Sequence, residues 1–221
     1  MKARETIFSN IKRSLQPSRS AVSPVQVESS GQVARDDRQM FDRFIRESAR
    51  VENELVHVGT HQQGIDAAAT LLTSGKFETV MVSAENLLHD HRYYEQLKNM
   101  LPASTMVQQY AGGRIDIPSG SASVVVAWGL IAETGTVVFV SSENQPRSIL
   151  LLPETLVIVA QRNVLAASME EIVDRLQRRQ VLSERSCVIF MTGPSRTSDI
   201  EKILVKGVHG PRRIVTLLLA D

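Results

Sequence analysis

The 221-residue chain has a single cysteine, Cys187. One thiol excludes an intramolecular disulfide and the thiolate set of an iron–sulfur cluster or a structural zinc, and it fits a reducing compartment. Neither sign of charge dominates. With 25 Lys+Arg against 24 Asp+Glu, the formal net charge is +1, so no broad field favours nucleic acid or a membrane surface, and any anion site must be local. No stretch is long and apolar enough to span a bilayer, and the opening MKARETIFSNIKRSL lacks the continuous apolar core of a signal peptide. Cytoplasm is the expected location. Internal repeats are missing, and so is low complexity beyond one linker. What remains, 43% hydrophobic and 22% charged residues, suits one α/β domain with a sizeable core.

Ile7, Phe8, Ile11 and Leu15 recur at helical spacing opposite Lys12 and Arg13, which predicts a short amphipathic helix over residues 3–15. Its apolar stripe needs cover, either on its own domain or on a sister subunit, the latter implying a homo-oligomer. Pro17 to Ala34 has no sustained period and reads as an extended linker. The expected division is therefore residues 1–34, helix and linker, and residues 35–221, the α/β domain. Asp36 or Asp37 can cap a helix that carries Met40, Phe41, Phe44 and Ile45 on one face and runs to about Glu52. A strand at Glu54–Val58, a helix at Gly64–Ser74 and a strand at Thr79–Val82 alternate as in a parallel sheet wrapped by helices. After a helix near Tyr93–Met100 and a strand near Thr105–Tyr110 the spacing changes. Ser123–Trp128, Thr136–Val140 and Leu156–Ala160 follow one another closely, with little room for helices between them. The expected fold class is α/β, mainly parallel with some antiparallel strands, and Met169–Arg179 returns to helix.

Candidate chemistry concentrates near the C-terminus. Cys187–Met191 is apolar, Thr192-Gly193-Pro194-Ser195-Arg196-Thr197 punctuates it, and a polar-started helical pattern predicts a helix from Thr197 to about Val205, stopping at Gly207. Amides around Gly193, hydroxyls of Ser195 and Thr197 and the guanidinium of Arg196 would then attract a small carboxylate or phosphate. The competing reading has Asp199, Glu201 or another carboxylate neutralise Arg196 while the hydroxyls cap the helix. His209, between Gly207 and Gly210, either lines the same cleft or is structural. Glu133, before the turn residue Gly135, sits at a hairpin tip or at a strand end facing a cleft. Arg147 enters an apolar run and must pair, snorkel or bind an anion. Other features read as structural. His89-Asp90-His91 suits a solvated turn, His57 and His61 flank a strand end, Trp128 suits the core, and Gly112-Gly113-Arg114 is too short for a nucleotide loop. No metal site is expected, and Ser195 has no partnered base of the hydrolase kind.

Four motifs in order, Ile131-Ala132-Glu133-Thr134-Gly135-Thr136, Arg147 with Leu151-Leu152-Pro153, Thr192 through Glu201, and Gly207-Val208-His209-Gly210-Pro211, closely resemble the LUD-domain family over nearly the whole chain. One departure is Ser198, where members commonly carry alanine. The resemblance implies the fold of the ribose-5-phosphate isomerase, glucosamine-phosphate deaminase and CoA-transferase group, shared by 5-formyltetrahydrofolate cyclo-ligase. It further implies a part in oxidising L-lactate to pyruvate beside iron–sulfur oxidoreductase partners that hold the redox chemistry, with no cofactor of its own. The alternative is an enzyme of acyl-CoA transferase or cyclo-ligase type. There Glu133 would be nucleophile or acid/base, and Arg147 and Arg196 would hold the substrate anion.

Overall fold

Near-continuous runs of Val, Ile and Leu mark strands covered on both faces, and Thr155–Gln161 (β7), reading TLVIVAQ, is buried along all but its last residue. It is central in a six-stranded sheet whose order is β1-β12-β7-β4-β2-β3. The other members are Asn53–Val58 (β1), Thr79–Val82 (β2), Met106–Gln109 (β3), Ala122–Val126 (β4) and Arg213–Leu219 (β12), and every pair is parallel. A second sheet follows the order β8-β5-β6-β9, built from Gly129–Ile131 (β5), Thr136–Val140 (β6), Leu165–Ala166 (β8) and Val188–Met191 (β9). There β5 and β6 form an antiparallel hairpin, β9 joins antiparallel and β8 parallel. The α/β class with its mixed strands is thus as read from the spacing.

This computed structural model describes Thr6 and residues 37–110, 116–198, 204–206 and 210–220. Contacts divide the chain into two units, Met1–Arg35 and Asp36–Asp221. The expected N-terminal helix and linker lie outside the described residues apart from Thr6, as do Gly112–Arg114, Asp199, Glu201 and His209. Among the described residues no helix is long and apolar enough to cross a membrane.

Alternation along the strands separates two cores. On one face of the parallel sheet, Val80, Val82, Val124, Val157, Val215 and Leu217 pack with Ile65, Leu72, Tyr93 and Leu97, which belong to His61–Gly75 (α2) and Tyr93–Met100 (α4). Between these helices lies the short Asn86–Asp90 (α3). On the other face Met81, Val125, Leu156, Ile158, Ile214 and Leu218 meet Phe44 of Asp37–Arg50 (α1) and the inner residues of the second sheet, including Leu130, Val137 and Phe139. The second sheet's outer face carries Ile131 and Val138 under Ile172, Leu176 and Val181, from Met169–Arg178 (α6) and Val181–Glu184 (α7). Arg147–Leu151 (α5) packs on β4. The order is helix, parallel sheet, mixed sheet, helix.

One expected element is different. Arg196–Ser198 (β10) and Leu204–Lys206 (β11) pair as antiparallel strands, Thr197 opposite Val205, where the spacing predicts a helix from Thr197 to Val205. The β-branched Thr197 and Val205 favour extended backbone, and tertiary pairing overrides a weak helical period. Among the described residues, therefore, no helix N-terminus stands behind the Gly193–Thr197 loop. Trp128, expected in the core, is half-buried, with the Arg179 guanidinium 5.8 Å from its ring centroid.

Candidate functional site

The parallel sheet has two ends, and the sequence-selected residues fall mostly on one of them. At the amino-terminal end, α1 runs into β1 through Val51 and Glu52. The Thr192–Arg196 loop and the Gly210–Pro211 turn before β12 meet it there. Gly193 adopts φ +81°, and a Cβ on it would lie 2.0 Å from the Val51 carbonyl oxygen. Gly135, at φ +66° in the β5–β6 turn, likewise presses on the Glu47–Ser48 backbone, where a Cβ would come within 2.5 Å of the Ser48 amide nitrogen. Both positions need a residue without a side chain.

Hydrogen bonds knit the same region. Thr134 and Thr136 hydroxyls are 2.7 Å apart, and the buried Thr136 hydroxyl lies 2.7 Å from that of Thr192. The Ser195 amide donates to the Pro211 carbonyl at 2.8 Å. Arg196 pairs with Glu52 at 3.1 Å, both side chains remaining well exposed at 39% and 47%. Beside them Arg213 grips Glu54 with two hydrogen bonds, 2.8 and 2.7 Å. The bonded guanidinium holds the Glu54 carboxyl below the usual carboxylate range. The structure thus joins Gly193, Ser195 and Arg196 with Gly210 and Pro211, and it adds Val51 and Glu52, which the sequence alone did not single out.

Glu133 and Arg147 sit elsewhere. Glu133 is at the β5–β6 turn, where the hairpin-tip reading places it. Its Oε1 accepts a hydrogen bond from the Met169 amide at 2.8 Å, and its own amide donates to Ala167 O at 3.2 Å. With the Ser168 N-cap, this carboxylate closes the start of α6. Arg147 is exposed at the start of α5, at the carboxyl-terminal end of the parallel sheet. There the connections of β2 and β4 leave in opposite directions, and this switch point is the usual ligand crevice of such sheets. Here the preceding loop fills it: the Gln145 side chain accepts from Val126 N at 2.8 Å and donates to Val126 O at 2.9 Å. Ser83 Oγ donates to Asn144 O at 3.2 Å, and Ser142 Oγ donates to Glu85.

The carboxyl-terminal end holds two further constellations. His61 and His91 stack with ring centroids 3.4 Å apart. Burial, then the neighbouring imidazole, pushes the His61 pKa down. Beneath His61, burial raises the Tyr93 phenol far above its ordinary range, while its hydroxyl donates to the His61 carbonyl at 3.4 Å. On the opposite face Phe41, His57, Arg162 and the ends of β1 and β12 line a cleft. Sequence reasoning assigned Phe41 and His57 to structure and passed over Arg162. The available signal was an arginine just past the largely apolar strand β7, at the carboxyl-terminal end of the sheet. Among the described residues no group of three or more His, Cys, Asp or Glu is placed to hold a metal ion.

The parallel sheet is backed by a mixed sheet, and residues 120–219 match the family model of the LUD domain. Over that segment, a little under half of the chain, the protein is similar to the LUD-domain family. Lactate utilization protein C of Bacillus pumilus SAFR-032 is 26% identical over 205 residues, 89% of this chain and 84% of that protein. Its counterpart in Bacillus subtilis 168 is 37% identical over 93 residues, 41% of this chain and 39% of its own. The uncharacterized protein YkgG of Escherichia coli K12 is 28% identical over 191 residues, 84% of this chain and 82% of its own. The crystal structure of a DUF162 family protein from Deinococcus radiodurans has the same fold, with a TM-score of 0.56 at 18% identity. It covers 85% of this chain and 99% of that one.

Proposed function

We propose that this protein is a cytoplasmic, non-redox component of L-lactate utilisation that acts beside iron–sulfur oxidoreductase partners. The observation that carries this reading is the likeness to lactate utilization protein C along 89% of the chain. A lone cysteine agrees with cluster chemistry residing in the partners. In this reading the Gly193–Thr197 loop, with His209 nearby in sequence, is where a partner carboxylate or a small anion is held. Arg196 supports this because its pairing with Glu52 is well exposed, so its guanidinium can exchange one carboxylate for another at little cost. The Glu133 carboxylate, engaged on the Met169 amide, has a structural task, which favours the accessory reading over an acyl-CoA transferase.

Deletion of the gene in its native host tests the proposal. Growth on L-lactate should stop while growth on pyruvate continues, and the full chain should co-purify with the iron–sulfur subunits. Undiminished growth on L-lactate after deletion would overturn it.

A further inference from the structure

The cleft at the carboxyl-terminal end of β1, β12 and β7 has a volume of ≈ 280 Å³. Its walls are apolar, from Val58, Leu218 and Leu219, and Phe41 of α1 closes one side. Two nitrogen-bearing side chains share that Phe41 ring. The Arg162 guanidinium carbon stands 4.4 Å from the ring centroid, and the His57 ring meets it edge-on with centroids 5.4 Å apart. A guanidinium stacked on an aromatic face keeps its in-plane N–H donors for another partner. Among the described residues none forms an ion pair or hydrogen bond with this guanidinium, although the residue is half-buried. A cation partly withdrawn from water and left without a counter-charge is an anion site in search of its ligand. In either tautomer His57 supplies one more N–H.

We propose that this cleft binds a small monocarboxylate bearing a short apolar group, with its carboxylate on Arg162 and His57 and its carbon chain against the apolar walls. One planar guanidinium matches the two oxygens of a single carboxylate. Apolar walls penalise a strongly hydrated dianion such as phosphate. The volume is ample for a molecule of a few carbons and too small to enclose coenzyme A. The cleft opens at the carboxyl-terminal end of the parallel sheet, the end from which such sheets bind ligands, though away from the β2–β4 switch point. The site lies at the opposite end of the sheet from the Ser195–Arg196 loop, so it stands or falls independently of the role proposed for that loop.

The test is calorimetric titration of the full-length chain with 2-oxobutyrate, acetate and inorganic phosphate, repeated on Arg162→Gln and Arg196→Ala. The expected result is binding of 2-oxobutyrate more tightly than acetate and without measurable binding of phosphate. Affinity should fall roughly tenfold or more in Arg162→Gln and stay unchanged in Arg196→Ala. Amide chemical shifts of the wild-type chain provide a second readout that needs no variant. The 2-oxobutyrate response should centre on Gly59 and Ala220 beside the cleft. Unaltered affinity in Arg162→Gln, loss of binding in Arg196→Ala, phosphate binding as tight as 2-oxobutyrate, shifts centred elsewhere, or no binding at millimolar concentration would each overturn the proposal.

Discussion

The carboxylate of Glu133 accepts a hydrogen bond from the backbone amide of Met169 at 2.8 Å, across the gap between the β5–β6 turn and the start of α6. A negative charge at that position complements the exposed amides of the helix start. Glu133→Ala should lower stability by about 1 kcal/mol in urea unfolding, and Glu133→Gln by less. Neither change should stop growth on L-lactate. Loss of growth in a fully stable Glu133→Gln protein would reinstate the carboxylate as a reacting group.

Arg196 and Glu52 form a pair that water reaches from both sides. Removing it by Arg196→Ala should therefore cost less than about 1 kcal/mol, in contrast to the roughly 3 kcal/mol expected for breaking a buried pair. The informative readout is capture of the proposed iron–sulfur partners. We expect it to weaken in Arg196→Ala while the melting temperature moves by only a few degrees.

Gly193→Ala is expected to be severe. The new methyl would meet the Val51 carbonyl, and the left-handed backbone adds its own penalty. Together they should cost about 2–4 kcal/mol, measured by denaturant titration. Gly135→Ala, set against the Ser48 backbone, should behave similarly. Either variant unfolding at the wild-type midpoint would show that the clasp on α1 is loose.

Stability should fall on acidification for two separate reasons. Glu54 has a folded-state pKa below its ordinary 4.5, chiefly through its hydrogen bond from Arg213. Its contribution is present above the unfolded-state pKa and lost as pH falls through the lower folded-state value. His61 is also depressed from 6.5, by burial and then by His91, so its contribution is present above pH 6.5 and lost as pH drops below it. Urea midpoints across pH 3–8 should show both steps. Glu54→Gln should remove only the step below pH 4.5, and His61→Gln only the higher one.

Much of this architecture is legible in the residues because it is written in local patterns. The buried strands announce themselves as apolar runs and α6 by the spacing of Ile172, Val173 and Leu176, and the close spacing after Tyr110 signals that some strands are antiparallel, although the short α5 between β6 and β7 is not expected from it. The β10–β11 hairpin is not legible, since three-residue strands show no period and Thr197 finds Val205 only through the fold. The site was legible in part. Motif glycines and Ser195 could be picked out, but their dependence on Val51 and Glu52 is tertiary. The cleft of Phe41, His57 and Arg162 draws one side chain each from α1, β1 and the turn after β7, and proximity of that kind leaves no trace in spacing.

Strand order carries a consequence for dissecting the molecule. The segment that matches the LUD family, residues 120–219, contains β4, β7 and β12 from the middle of the parallel sheet but none of β1, β2 or β3. Cut out alone, it would bare a row of unpaired amides and carbonyls on β12 and another on β4, with α1, α2 and α4 gone from above and below. Such a fragment invites self-pairing through open strand margins. It should precipitate, whereas a fragment starting near Asp37 should stay monodisperse, making the family segment a recognition signature rather than an autonomous folding unit.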